Sequence, residues 1–135
     1  MSYLLDTNSV IDHLRRGQRS KVTSRLADAL PGSVFLCSVV LAELIYGAIR
    51  SGAAHQAANL ALLAQLREQF VSLPFDDQAA EEYGRIRAHL TVSGTPIGPN
   101  DLMIAAIARA RGTTLVTHNT AEFNRVPGLV LEDWQ

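Results

Sequence analysis

The feature that most constrains this chain is the regular alternation of short apolar runs with longer segments of helical period. Tyr3-Leu4-Leu5, Val34 to Cys37, Val71 to Phe75, Thr114 to Thr117 and Leu129 to Leu131 each read as a brief buried strand. Between them lie helical stretches. Residues 8 to about 30 form one helix broken near Gly17 or two short ones. Ser38 is placed to cap a helix running to Arg50. An alanine- and leucine-rich helix follows Gly52, with Leu60, Leu63, Leu66 and Phe70 at near-helical spacing. Asp76-Asp77 opens a helix reaching about Val92, where two acids suit the positive end of the helix dipole. After the loop SGTPIGPN, Pro99 stands as the first residue of a helix that Gly112 stops. Strand and helix alternating along the whole length predict an α/β fold with a mainly parallel sheet of about five strands. No repeat, linker or low-complexity tract interrupts it, and 135 residues fit a single domain, 1–135.

In such a sheet, sites form beyond the carboxyl ends of the strands. Three acids are placed to meet there. Asp6 directly follows the first strand. Glu43 lies early in the helix after the second, and helical side chains lean toward the helix N-terminus. Asp101 occupies the first turn of the helix that feeds the fourth strand. Two of them have a structural explanation of their own: Asp6 as a helix cap, Asp101 as a partner of the helix dipole. Glu43 resists one, because it sits in the otherwise apolar stretch VVLAELIYGAI. Buried there without a partner, a carboxylate costs several kcal/mol or takes up a proton. Like charges held together ask for a divalent cation, and an all-oxygen ligand set favours magnesium or manganese over zinc.

The remaining polar residues carry weaker signals. His13, His55 and His89 fall in helical segments, whereas His118 ends the fourth strand at the rim. Cys37, the only cysteine, lies within VFLCS and reads as a buried, inert thiol. The net charge of −1 excludes broad electrostatic gripping of nucleic acid, so any such contact is local. All basic residues but Lys21 are Arg, the side chain better suited to forked phosphate pairing. With neither a leader-like start nor an apolar run of membrane length, the expected setting is cytoplasmic, with no membrane partner.

Four segments, LLDTNSVID, SVVLAELIYGA, GTPIGPNDLMIAAIARARG and LVTHNTAEFNRVPGL, resemble in order the PIN-domain family, and look most like its VapC-type toxins. The similarity covers residues 3 to about 134. It implies a PIN-like three-layer fold, ribonuclease activity dependent on Mg2+ or Mn2+, and inhibition by a cognate antitoxin protein. It also implies a homodimer within a toxin–antitoxin hetero-oligomer. Asp6, Glu43 and Asp101 match the first three acids of the family's metal-binding quartet. The fourth position, often Asp, falls here on Asn119, which brings no charge. Glu122 lies close enough in sequence to compensate. Thr7, Asn8 and Thr117 are candidates to orient carboxylates or waters, and Arg87 and His118 to touch substrate.

The expected reaction is hydrolysis of a phosphodiester in structured RNA, such as transfer RNA, by metal-activated water, leaving a 5′-phosphate and a 3′-hydroxyl. Two rivals remain at this stage. One is a PIN-like protein of weak activity that works through a partner. The other is a magnesium-binding receiver module, which lacks here both a late Lys and an acid directly after a middle strand.

Overall fold

The computed structural model describes all residues, 1–135. Five strands, β1 (Tyr3–Leu5), β2 (Val34–Cys37), β3 (Val71–Leu73), β4 (Thr114–Val116) and β5 (Leu131–Glu132), form one sheet in the order β3-β2-β1-β4-β5. Every pairing is parallel, with Tyr3 opposite Val34 on one side and Thr114 on the other. Seven helices connect and flank the sheet: α1 (Thr7–Arg16), α2 (Lys21–Asp28), α3 (Ser38–Arg50), α4 (Gln56–Gln69), α5 (Asp77–Ser93), α6 (Pro99–Arg111) and α7 (Thr120–Phe123). The break near Gly17 is a short 3-10 turn, entered through a positive φ of 51° that suits glycine.

The strands are only two to four residues long, so the sheet is held from its faces rather than by its ladders. Leu4, Leu5, Leu36, Leu115 and Val116 are fully enclosed. The central covering helix is α6, in which Ile104, Ala105, Ala106, Ile107 and Ala108 are all inaccessible to solvent. Alanines on three of those five positions let the helix axis approach both the sheet and α5. Pro99 begins α6, and Gly112, with φ of 65°, ends it by donating its amide to the Ala108 and Arg109 carbonyls.

Local expectations needed correction at several ends. Ser38 is the first residue of α3 rather than its cap; its hydroxyl accepts the Phe75 amide at 3.2 Å, drawing the chain off the sheet after Leu73. The fifth strand is shifted to Leu131–Glu132, and Thr117 lies beyond β4, although its amide still reaches the Glu132 carbonyl at 2.9 Å. Of the α4 stripe, Leu63 and Leu66 are buried, while Leu60 and Phe70 are half-buried. The single-turn helix α7 has no counterpart among the expected elements. No helix is long and apolar enough to cross a membrane.

Candidate active site

Because all strands run the same way, all their carboxyl ends open on one rim. Asp6 sits there immediately after β1, its amide bonded to the Val116 carbonyl of β4 at 3.1 Å. It does cap α1, accepting the Ser9 amide on Oδ1 at 2.8 Å, and its side chain also engages Thr117. Ser9 and Thr117 are themselves buried, and the Ser9 hydroxyl donates to the Val116 carbonyl at 3.2 Å. Burial pushes the Asp6 carboxyl above the ordinary range. The bonds from Thr117 and Ser9 oppose that rise, and the nearby negative charge of Glu43 adds to it.

Glu43 is half-buried, not enclosed as its apolar neighbours suggested. The apolar letters around it belong partly to an exposed face of α3, where Tyr46 and Ile49 are 61% and 52% accessible. Its two oxygens are held separately. Thr7 donates its hydroxyl to Oε1 at 2.6 Å, and Asn100 donates its amide to Oε2 at 3.3 Å. Asn100 was not singled out from sequence, although its place in the first turn of α6, beside Asp101, was the available signal.

Asp101 is half-buried in that first turn and its carboxyl is pushed up to about 6. Burial is the largest cause, followed by the charge and direct contact of Glu122, then by Glu43 and Asp6. Glu122, on α7, accepts the Gly98 amide at 3.1 Å and the side-chain amide of Asn119. The Asn119 backbone amide in turn donates to the Thr117 hydroxyl at 3.0 Å. The residue in the fourth corner therefore acts on the neighbouring Glu and brings that carboxylate against Asp101. A one-turn helix supplies the acid that position 119 does not.

The other sequence candidates lie at or beyond the margin. Asn8 is exposed on the first turn of α1. His118 turns to Asp133, with Nδ1 and Oδ2 2.9 Å apart. Arg87 is exposed on α5 and donates to the Tyr83 hydroxyl at 3.2 Å. None of the seven ion pairs in the molecule includes Asp6, Glu43, Asp101 or Glu122. Nor do three acid or imidazole groups close directly around one point, so the convergence is looser than a preformed cage. Separate hydrogen bonds to Thr7 and Asn100 fix Glu43, and one from Ser9 fixes Asp6, while Glu122 lies against Asp101. Oxygen donors in mutual repulsion, with no cationic side chain among them, suit Mg2+ or Mn2+ better than zinc. Magnesium in particular keeps several waters and takes only one or two carboxylates directly.

The geometry defines an α/β protein with an acidic rim at the carboxyl ends of a parallel sheet. The PIN domain family model matches residues 3–129, and the chain belongs to that family. It is 40% identical to the tRNA(fMet)-specific endonuclease VapC of Salmonella typhimurium, with 99% of this chain and 98% of that protein covered. It is 36% identical to ribonuclease VapC2 of Rickettsia felis over the same shares. Among solved structures, a DNA-bound VapBC from Salmonella typhimurium superposes with a TM-score of 0.91 at 38% identity, covering 100% of this chain and 99% of that one. FitAcB from Neisseria gonorrhoeae does so at 0.88 and 28% identity, covering 98% and 99%.

Proposed function

We propose that this chain is a Mg2+- or Mn2+-dependent endoribonuclease and the toxin of a toxin–antitoxin pair. The observation that carries the reading is the set of four carboxylates on one rim, none of them in an ion pair. Asp6 and Asp101 would hold the ion, with Glu43 and Glu122 completing its shell directly or through water. A bound ion there supplies Lewis acidity toward a phosphate oxygen and lowers the pKa of an attacking water. The chain's own residues do the positioning. Thr7 and Asn100 fix the two oxygens of Glu43, and Ser9 and Thr117 fix Asp6. Asn119 and the Gly98 amide hold Glu122 against Asp101. Glu43, with both oxygens already oriented, is suited to align water for in-line attack.

The names of the relatives support RNA, and transfer RNA in particular, as substrate class. The structural neighbours support an antitoxin partner. Between α1, α3 and α4 runs a trough lined by Ile11, Leu14, Leu44 and Leu63, with Arg15 on its wall, that reaches Glu43. An amphipathic antitoxin segment laid in it could project an Arg or Lys to the acids and take the place of the ion. Two copies of the chain in one assembly would present two such rims.

Incubation of the purified chain with structured RNA tests the reading. Cleavage with Mg2+ and none with chelator is expected, together with loss of cleavage in Asp6→Asn and Asp101→Asn. Undiminished cleavage in both variants overturns the assignment.

A further inference from the structure

The rim continues past Glu43 into a small cleft lined by Thr7, Ala42, Glu43, Tyr46 and Asn100. Its one aromatic wall is Tyr46, three residues after Glu43 and so on the same face of α3. A tyrosine 61% accessible beside a set of carboxylates has no part in the core. Its ring is nevertheless held. Arg50 donates to the Tyr46 hydroxyl at 2.8 Å, and its guanidinium carbon lies 5.6 Å from the ring centroid. Arg50 thus props the ring from one helical turn further along α3 and puts a positive charge over one side of it, leaving the other face for a base.

The geometry points to Tyr46 as a stacking platform for a nucleobase of the RNA, belonging to the nucleotide that flanks the scissile phosphate. Tyr46 lies three residues on from Glu43, about 4.5 Å along α3, a spacing of the same order as that between neighbouring nucleotides. An exposed aromatic face accepts any base, because every base has a π-face, and a flanking Arg contributes charge without reading sequence. The surroundings match: the Thr7 hydroxyl and the Asn100 amide give the cleft polar edges, and the small side chain of Ala42 lines it beside the ring. Tyr46 is therefore a binding residue for a neighbouring nucleotide, and Arg50 is a positioning residue that acts through it.

The inference rests on the nuclease reading, so its test includes a measurement that needs no turnover. In steady-state cleavage with saturating Mg2+, Tyr46→Ala is expected to raise KM about fivefold to a hundredfold. The kcat and the melting temperature should change little, and Tyr46→Phe, which keeps the ring, should restore most of the affinity. For binding alone, Tyr46→Trp in an Asp6→Asn background is titrated with single-stranded RNA. Its fluorescence, after subtraction of the signal from Trp134, should be quenched with the same affinity that a filter assay reports. If cleavage fails in every protein while this quenching is seen, the nuclease reading falls and the stacking platform stands. An unchanged KM in Tyr46→Ala, or fluorescence of the Tyr46→Trp protein that RNA leaves unmoved, overturns the platform. Where a co-expressed antitoxin shifts that fluorescence and RNA does not, the platform is overturned in favour of a protein contact.

Discussion

Two clusters of acids in this molecule have opposite fates. On the outer helices, Glu82 is paired with both Arg85 and Arg109, and Asp76 with Arg111 at 2.8 Å. Arg109 also donates to the Pro127 carbonyl at 2.9 Å, which ties α5, α6 and the segment leading to β5 together. Hydrogen bonding to the Ala79 amide and the charge of Arg111 hold the Asp76 carboxyl below its usual range. On the rim, Asp6 and Asp101 are held above theirs, by burial first and then by other carboxylates nearby. The same residue type therefore serves as mortar in one place and as an unmet demand for positive charge in the other. Arginine was available to both. On the rim no arginine closes onto an acid as an ion pair, and under the proposed function that leaves room for a cation and a phosphate.

The largest expected contrast is in activity. If the proposed metal-dependent reading holds, Asp101→Asn should lower RNA cleavage about a hundredfold or more, since several kcal/mol of transition-state stabilisation would then depend on an ion at this carboxylate. Glu82→Gln should leave cleavage within a factor of about two under the same assay. The contrast reverses in stability. In chelator, Asp101→Asn should raise the melting temperature at neutral pH, because it removes a repelled charge. Glu82→Gln should cost about 1 kcal/mol by chemical denaturation. Equal losses of stability in the two variants would break the distinction.

Dependence on pH sharpens it further. The folded Asp101 carboxyl holds its proton up to about 6, against 3.8 for an ordinary aspartate. Between those values the folded state holds more protons than the unfolded one, so stability falls as pH rises through that window. Metal-free protein should accordingly melt at a higher temperature at about pH 5 than above pH 7, by scanning calorimetry, and Mg2+ should narrow or invert the gap. Cleavage at limiting Mg2+ should fall as pH drops below about 6, where the ion must displace the proton. A smaller effect concerns the fourth corner. Asn119→Asp adds a charge next to Glu122, and isothermal titration in an Asp101→Asn background should show Mg2+ affinity partly recovered. No recovery would mean that residue 119 acts only through its hydrogen bond to Glu122.

What could be read without coordinates followed from periodicity and from ends. The alternation of strand and helix is written in apolar spacing, and Pro99 and Gly112 mark both ends of α6 unmistakably. Asp6 and Asp101 were legible because a strand end and a helix start fix where a side chain begins. Glu43 was placed correctly for a reason that proved only half right. Its apolar neighbours Tyr46 and Ile49 face solvent, and a run of hydrophobic letters does not say which of them a partner will cover. The role of Asn119 was out of reach, because α7 is one turn long. So short a helix leaves no periodic trace, and nothing in the spacing of residues 101 and 122 shows that their carboxyls meet. Asn100 was hidden likewise, since its contact with Glu43 spans 57 residues.

The parallel sheet also settles how the molecule can be handled. Met1 is 89% exposed and precedes β1 on the side of the sheet opposite the acids, where the turn at Leu30 is likewise open. The carboxyl terminus follows β5 on the rim side, with Trp134 buried just before Gln135. An affinity tag or fluorescent fusion placed at the amino end leaves the acidic end unobstructed. The same addition after Gln135 would pull on an anchored indole, since Trp134 is buried with its ring 5.1 Å from that of Tyr3.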